Sequence, residues 1–146
     1  IDTNTDIVDG ERLSISSRLC IVKTDESDLQ VIFNGPYSWK IVHFKKTDPK
    51  DEEKMAIAIL INHILEQKYD KIYKIGIVTD HDLGNIRNYN ERKSPIFDNV
   101  YLPENFTLIY ASSDSGNENI LNKLIRTCDK EATRFLNNVK EGKIKL

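Results

Sequence analysis

Ile75-Gly76-Ile77-Val78 is an unbroken apolar run that stops abruptly at Thr79-Asp80-His81-Asp82. A short strand with no polar alternation needs cover on both faces, the habit of a central strand in an α/β sheet. Two flanking segments can supply that cover. Asp48 is a natural helix cap and Pro49 suits the first helical position, where its missing N–H costs nothing. The helix they open is expected to run to about Gln67. It carries Met55, Ile57, Ile59, Leu60, Ile61, Ile64 and Leu65, apolar around much of its circumference. A last helix is expected from a capping box at Ser115-Gly116-Asn117-Glu118, with Leu121, Leu124, Ile125, Cys128, Ala132, Phe135, Leu136 and Val139 at steps of three and four.

Before the first helix, three strand patterns follow one another: Leu19 to Thr24, Leu29 to Phe33, and Trp39 to Lys45. They are joined by Asp25-Glu26-Ser27-Asp28 and by Asn34-Gly35-Pro36. They read as an antiparallel meander. Residues 1–17 are polar and acidic and read as an N-terminal extension or one short strand, leaving residues 18–146 as the domain proper. Residues 84–105 are expected as a long loop with room for a helical turn, and Phe106 to Ala111 as a further strand. The order implies an α/β fold: a mixed sheet of three antiparallel strands followed by parallel ones, with helices packed on it.

At 146 residues the chain suits one domain, and 39% hydrophobic with 30% charged residues excludes a disordered or fibrous class. A net charge of −2 excludes coating of nucleic acid by bulk charge, so any such binding needs a local patch. No apolar run approaches the roughly 18 residues of a membrane span. Two cysteines and three histidines form no CxxC, HExxH or close cluster, which argues against structural zinc. Cys20 and Cys128 both fall on apolar patterns and read as buried thiols, which fits an intracellular, cytoplasmic setting. The chain opens at Ile1 rather than Met, as expected of a trimmed or processed chain or of a piece of a longer polypeptide or complex.

Four carboxylates occupy notable positions. Asp25 ends the first strand of the meander, Glu53 precedes the apolar stripe Ile57-Ile61-Ile64 by one turn, Asp80 ends the apolar strand, and Asp129 flanks the buried face of the last helix. Carboxylates at the rims of buried elements are costly unless a cation meets them, and an all-oxygen set suits magnesium or manganese. Each also has a plainer role open to it. Asp25 suits a turn, Glu53 the positive end of its helix, Asp80 a strand end and Asp129 a solvated helix surface, while His81 reads as a turn residue.

These residues carry a resemblance to the ribonuclease H family and its superfamily. Thr24-Asp25-Glu26-Ser27 looks like the first-strand Thr-Asp-x-Ser, Glu53-Lys54-Met55-Ala56 like the first-helix glutamate, and Val78-Thr79-Asp80 like the second Thr-Asp. Asn117-Glu118 and Asp129-Lys130-Glu131-Ala132 look like the last helix. The match spans about Arg18 to Val139. The family's loop histidine has no counterpart, since no histidine follows His81. The resemblance implies a divalent-metal-dependent nuclease acting on RNA in an RNA–DNA hybrid or on structured RNA. It implies Mg2+ or Mn2+ held by Asp25, Glu53, Asp80 and Asp129, with Lys46, Lys50, Arg87 and Arg92 available to phosphates.

Two alternatives stand beside it. Ile1-Asp2-Thr3-Asn4 with Val78-Thr79-Asp80 suggests a PIN-like ribonuclease using Asp2 and Asp80, and a register variant makes Asp2 the first-strand aspartate of a ribonuclease-H-like fold. The other alternative is a non-catalytic ribonuclease-H-like binding domain of a larger assembly.

Overall fold

The computed structural model describes residues 1–18, 21–23, 29–31, 37–42, 49–112 and 120–145. Asp48, the Asn34-Gly35-Pro36 turn and the Ser115 to Glu118 cap fall outside the described residues.

Residues 1–17, expected as an extension or one short strand, instead form most of a hairpin. β1 (Asp2–Val8) runs antiparallel to β2 (Glu11–Arg18), from Asp2 opposite Ser17 to Val8 opposite Glu11. Asp9 and Gly10 turn the chain with φ of 51° and 79°. A two-residue hairpin loop needs two such positive values, and Asp-Gly adopts them at little cost. The expected meander is split. β3 (Ile21–Lys23) and β4 (Leu29–Val31) pair with each other, while β5 (Tyr37–Val42) lies antiparallel to β2, with Leu13 opposite Val42. β2 has β1 on one edge only, and β5 takes the other, giving the order β1-β2-β5.

α1 (Pro49–Glu66) and a short turn of 3₁₀ helix at Tyr69–Lys71 lead into β6 (Ile75–Thr79). After α2 (Ile86–Asn90), β7 (Phe106–Tyr110) returns parallel to β6, with Ile75 opposite Phe106 and Thr79 opposite Tyr110. α3 (Ile120–Lys140) ends the fold. The chain is therefore an α/β protein of small sheets and helices, and no helix among the described residues is long and apolar enough to cross a membrane.

Strand alternation sends the two faces of the hairpin to different helices. Thr3, Thr5, Arg12, Ser14 and Ser16 lie towards α1. Thr3 and Ser16 share a hydrogen bond of 2.7 Å, and Thr5 and Ser14 one of 2.8 Å. Thr5 also donates to Glu52 Oε2 at 2.5 Å, and Arg12 Nε donates to Glu52 Oε1. Asn4 and Asp6 lie towards α3, the first 2.6 Å from Thr133 Oγ1 and the second accepting from Lys140 Nζ at 2.5 Å. Leu136 packs there on Leu13 and Ile15.

The larger core joins Ile57, Ile61 and Ile64 of α1 to Ile77 of β6 and Leu108 of β7. The segment between β6 and β7 is a packed layer: Leu83, Ile96 and Leu102 are buried in the same core. Asn90 closes the outer side of β7, donating to Leu108 O at 2.9 Å and accepting from Leu108 N at 2.7 Å. Ile1 N donates to Val78 O at 3.1 Å, which sets the start of β1 beside the end of β6.

Candidate metal centre

That contact brings the first turn-free residues of β1 to the end of the apolar strand, and acidic side chains converge there from several elements. Asp2 enters from β1 and is almost fully buried. Glu53 enters from α1 and is 0% exposed, at the end of the buried stripe that continues through Ile57 and Ile61. Asp80 and His81 follow β6 directly. The Thr79 hydroxyl accepts the His81 backbone N–H at 3.1 Å and donates to Glu53 Oε1 at 3.4 Å, so the strand end and α1 are tied at one atom. Asp129, on α3, sets its carboxyl against that of Asp2.

His81 Nε2 stands among these groups. It lies 2.9 Å from Asp2 Oδ1, 3.0 Å from Glu53 Oε2 and 3.7 Å from Asp80 Oδ1. The hydrogen bond goes to Asp2. Asp2 Oδ2, Glu53 Oε2 and Asp80 Oδ1 are buried with no hydrogen-bond partner. Buried carboxylate oxygens without partners are uncommon, because desolvating them is costly.

The protonation equilibria follow from this crowding. Burial raises Asp2 from its ordinary 3.8 to about 8. The hydrogen bond from His81 opposes the shift, while Asp129, Asp80 and Glu53 add to it. Burial also raises Glu53. For His81, burial works downward, but the hydrogen bond to Asp2 and the charges of Glu53, Asp2 and Asp80 outweigh it and push the imidazole up to about 9.

Of the sequence candidates, Glu53, Asp80 and Asp129 thus meet around Asp2 and His81. Asp25 lies outside the described residues, and the carboxylate on the first strand of the hairpin is Asp2. Lys46 also lies outside the described residues, and Lys50 sits in the first turn of α1. Arg87 is exposed on α2 and pairs with Glu91 at 2.7 Å. Arg92 donates to the carbonyls of Asn90 and Pro103 at 3.1 and 2.8 Å, so it pins the loop. His81, expected as a turn residue, stands in the cluster; its position directly after Asp80 at a strand end is the sequence signal for that.

The donor set is consistent with a divalent cation. Asp2, Asp80 and His81 each place one ligand atom within 4.8 Å of the others. The orphaned oxygens of Asp2, Glu53 and Asp80 are groups a cation would satisfy. No protein-family model, curated protein or solved structure matches the chain.

Proposed function

We propose that this protein is a divalent-metal-dependent nuclease of ribonuclease-H-like architecture, with Asp2, Glu53, Asp80 and Asp129 holding Mg2+ or Mn2+. The observation that carries the reading is the meeting of four carboxylates from β1, α1, the end of β6 and α3, three of them with buried, unpartnered oxygens. The chain order supports it as well: a hairpin extended by β5, then a helix, then β6 and β7 in parallel, then a helix carrying the last carboxylate. This is the register in which Asp2 is the first-strand residue.

In this reading Asp2 of β1, Asp80 after β6, Glu53 of α1 and Asp129 of α3 would hold the cation. Bound there, the metal supplies Lewis acidity for attack of water on phosphorus and for departure of the 3′ oxygen. Thr79 holds Glu53 Oε1, so that Oε2 is left for the cation. Arg87, exposed on α2, is the described basic residue proposed for the phosphates of an RNA–DNA hybrid or structured RNA.

A PIN-like arrangement shares the Asp2–Asp80 pair, but it places a helix directly after the first strand, where this chain has the β1–β2 hairpin.

Metal titration with thermal melting, on wild type and Asp80→Asn, tests the proposal. Wild type should gain stability with millimolar Mg2+ or Mn2+. Asp80→Asn should melt higher without metal, because one repelling charge is gone, and respond less with it. A labelled RNA–DNA hybrid should then be cut by wild type and not by the variant. No melting response in either protein overturns the metal site. A response without cleavage of hybrid, duplex RNA or single strands overturns the nuclease and favours a binding domain.

A further inference from the structure

We propose that His81 is itself a ligand, making the cluster a mixed imidazole–carboxylate site that takes a first-row transition ion such as Mn2+ in preference to Mg2+. The inference rests on the metal-site reading above and goes beyond it by naming a nitrogen donor and the selectivity that donor brings.

Hydrogen bonding does not account for where the ring sits. Nε2 carries at most one hydrogen, and that hydrogen serves Asp2 Oδ1 at 2.9 Å. Glu53 Oε2, at 3.0 Å from the same nitrogen, and Asp80 Oδ1, at 3.7 Å, face it at ion-pair range but take no hydrogen bond from it or from any other group. One nitrogen facing three carboxylates, two of them unserved, is a poor hydrogen-bonding arrangement and a good ligand arrangement. Neighbouring donors around a six-coordinate ion with bonds of about 2.1 Å lie about 3.0 Å apart. The Asp2 and Glu53 oxygens stand at that spacing from Nε2.

The ring is also held from behind. The His81 backbone N–H is fixed on Thr79 Oγ1 at 3.1 Å, and that hydroxyl contacts Glu53. The imidazole and the α1 carboxylate are therefore positioned by the same residue. Glu53 supplies an observation independent of the clustering of acids: its side chain is 0% exposed, and Oε2 points into the site without a hydrogen bond. Selectivity follows from the donor. Magnesium is a hard ion that favours oxygen and keeps much of its water, whereas imidazole suits first-row transition metals. An oxygen in place of Nε2 would remove that bias.

The test is calorimetric titration of the metal-free protein with MnCl2 and with MgCl2, on wild type and His81→Ala. Pulsed electron paramagnetic resonance of the Mn2+-loaded wild type is run alongside. Wild type should bind Mn2+ at least about tenfold more tightly than Mg2+. His81→Ala should lose about tenfold in Mn2+ affinity, stay within twofold for Mg2+, and so lose the preference. The spin-echo spectrum of wild type should show modulation from a directly bound imidazole nitrogen. That readout needs no variant, so it decides the question even if His81→Ala fails to fold.

Metal binding without nitrogen modulation overturns the ligand role and leaves the carboxylate site standing. Tighter binding of both ions by His81→Ala likewise overturns it, and makes the imidazole a counter-ion that metal displaces. Absence of any divalent binding by folded wild type overturns this inference together with the reading beneath it.

Discussion

Thr79 faces two ways at the end of β6, accepting from the His81 backbone and donating to Glu53, and this hydroxyl sets the spacing of the acidic cluster. Around it, Asp2 and His81 both hold their protons more tightly when folded than when unfolded. Between 3.8 and about 8 the folded chain keeps a proton on Asp2 that the unfolded chain has lost, and between 6.5 and about 9 the same is true of His81. Stability falls with pH wherever the folded state binds more protons. Both contributions are intact below the ordinary values and are lost as pH rises through the folded ones. Melting in EDTA should therefore drop steadily from pH 5 to pH 9. Asp2→Asn should show a shallower slope over pH 5 to 8, and equal slopes in the two proteins would refute the assignment.

α1 carries two adjacent buried glutamates with different duties. Glu52 turns towards the hairpin, where Arg12 and Thr5 hold it, and Glu53 turns towards the cluster. Removing the partner of a buried charge costs more than removing the pair. Arg12→Ala should lower unfolding stability by about 2–3 kcal/mol, and the double variant with Glu52→Gln should recover part of that loss in urea titrations. The apolar side of the helix gives an internal comparison. Ile61, fully buried, should cost about 2–5 kcal/mol as Ala, whereas half-exposed Ile59 should change stability by less than about 1 kcal/mol. Similar losses at both positions would contradict the packing of α1.

At the scale of the molecule, two apolar clusters flank the hairpin: one between α1, β6 and β7, the other between α3 and β2. The hairpin lies between them: Leu13 and Ile15 enter the α3 cluster, while its other face is held to α1 by hydrogen bonds among Thr3, Thr5, Ser14, Ser16 and Glu52. Leu136→Ala should therefore lower a single cooperative transition, by about 2–4 kcal/mol, with far-UV circular dichroism and tryptophan fluorescence moving together. Two separated transitions would mean that the clusters fold independently. The site lies where the elements meet, drawing Asp2 from the hairpin, Glu53 from α1, Asp80 from β6 and Asp129 from α3. On the proposed metal-binding reading, loss of any one element should abolish the metal response as well as stability.

Local pattern alone determined α1, β6, β7 and the body of α3, because each carries its own apolar run or period. Glu53, Asp80 and Asp129 were legible for the same reason, being fixed in phase with those patterns. The hairpin at the start was not legible as part of the core. Its inward residues on the α1 side are Thr3, Ser14 and Ser16, with hydroxyls paired Thr3 to Ser16 and Thr5 to Ser14, so β1 shows no hydrophobic alternation and β2 only the short Leu13–Ile15 pair. Asp9-Gly10 was the local signal for it. Tertiary structure decided the rest. β5 joined β2 rather than β4 because the open edge of β2 exists only once the hairpin is formed. Asp2 and His81 joined the cluster because they lie 79 residues apart in sequence but hydrogen-bond in space. Periodicity reports which face of an element is buried. Which carboxylates then share one dehydrated volume depends on how those faces are assembled.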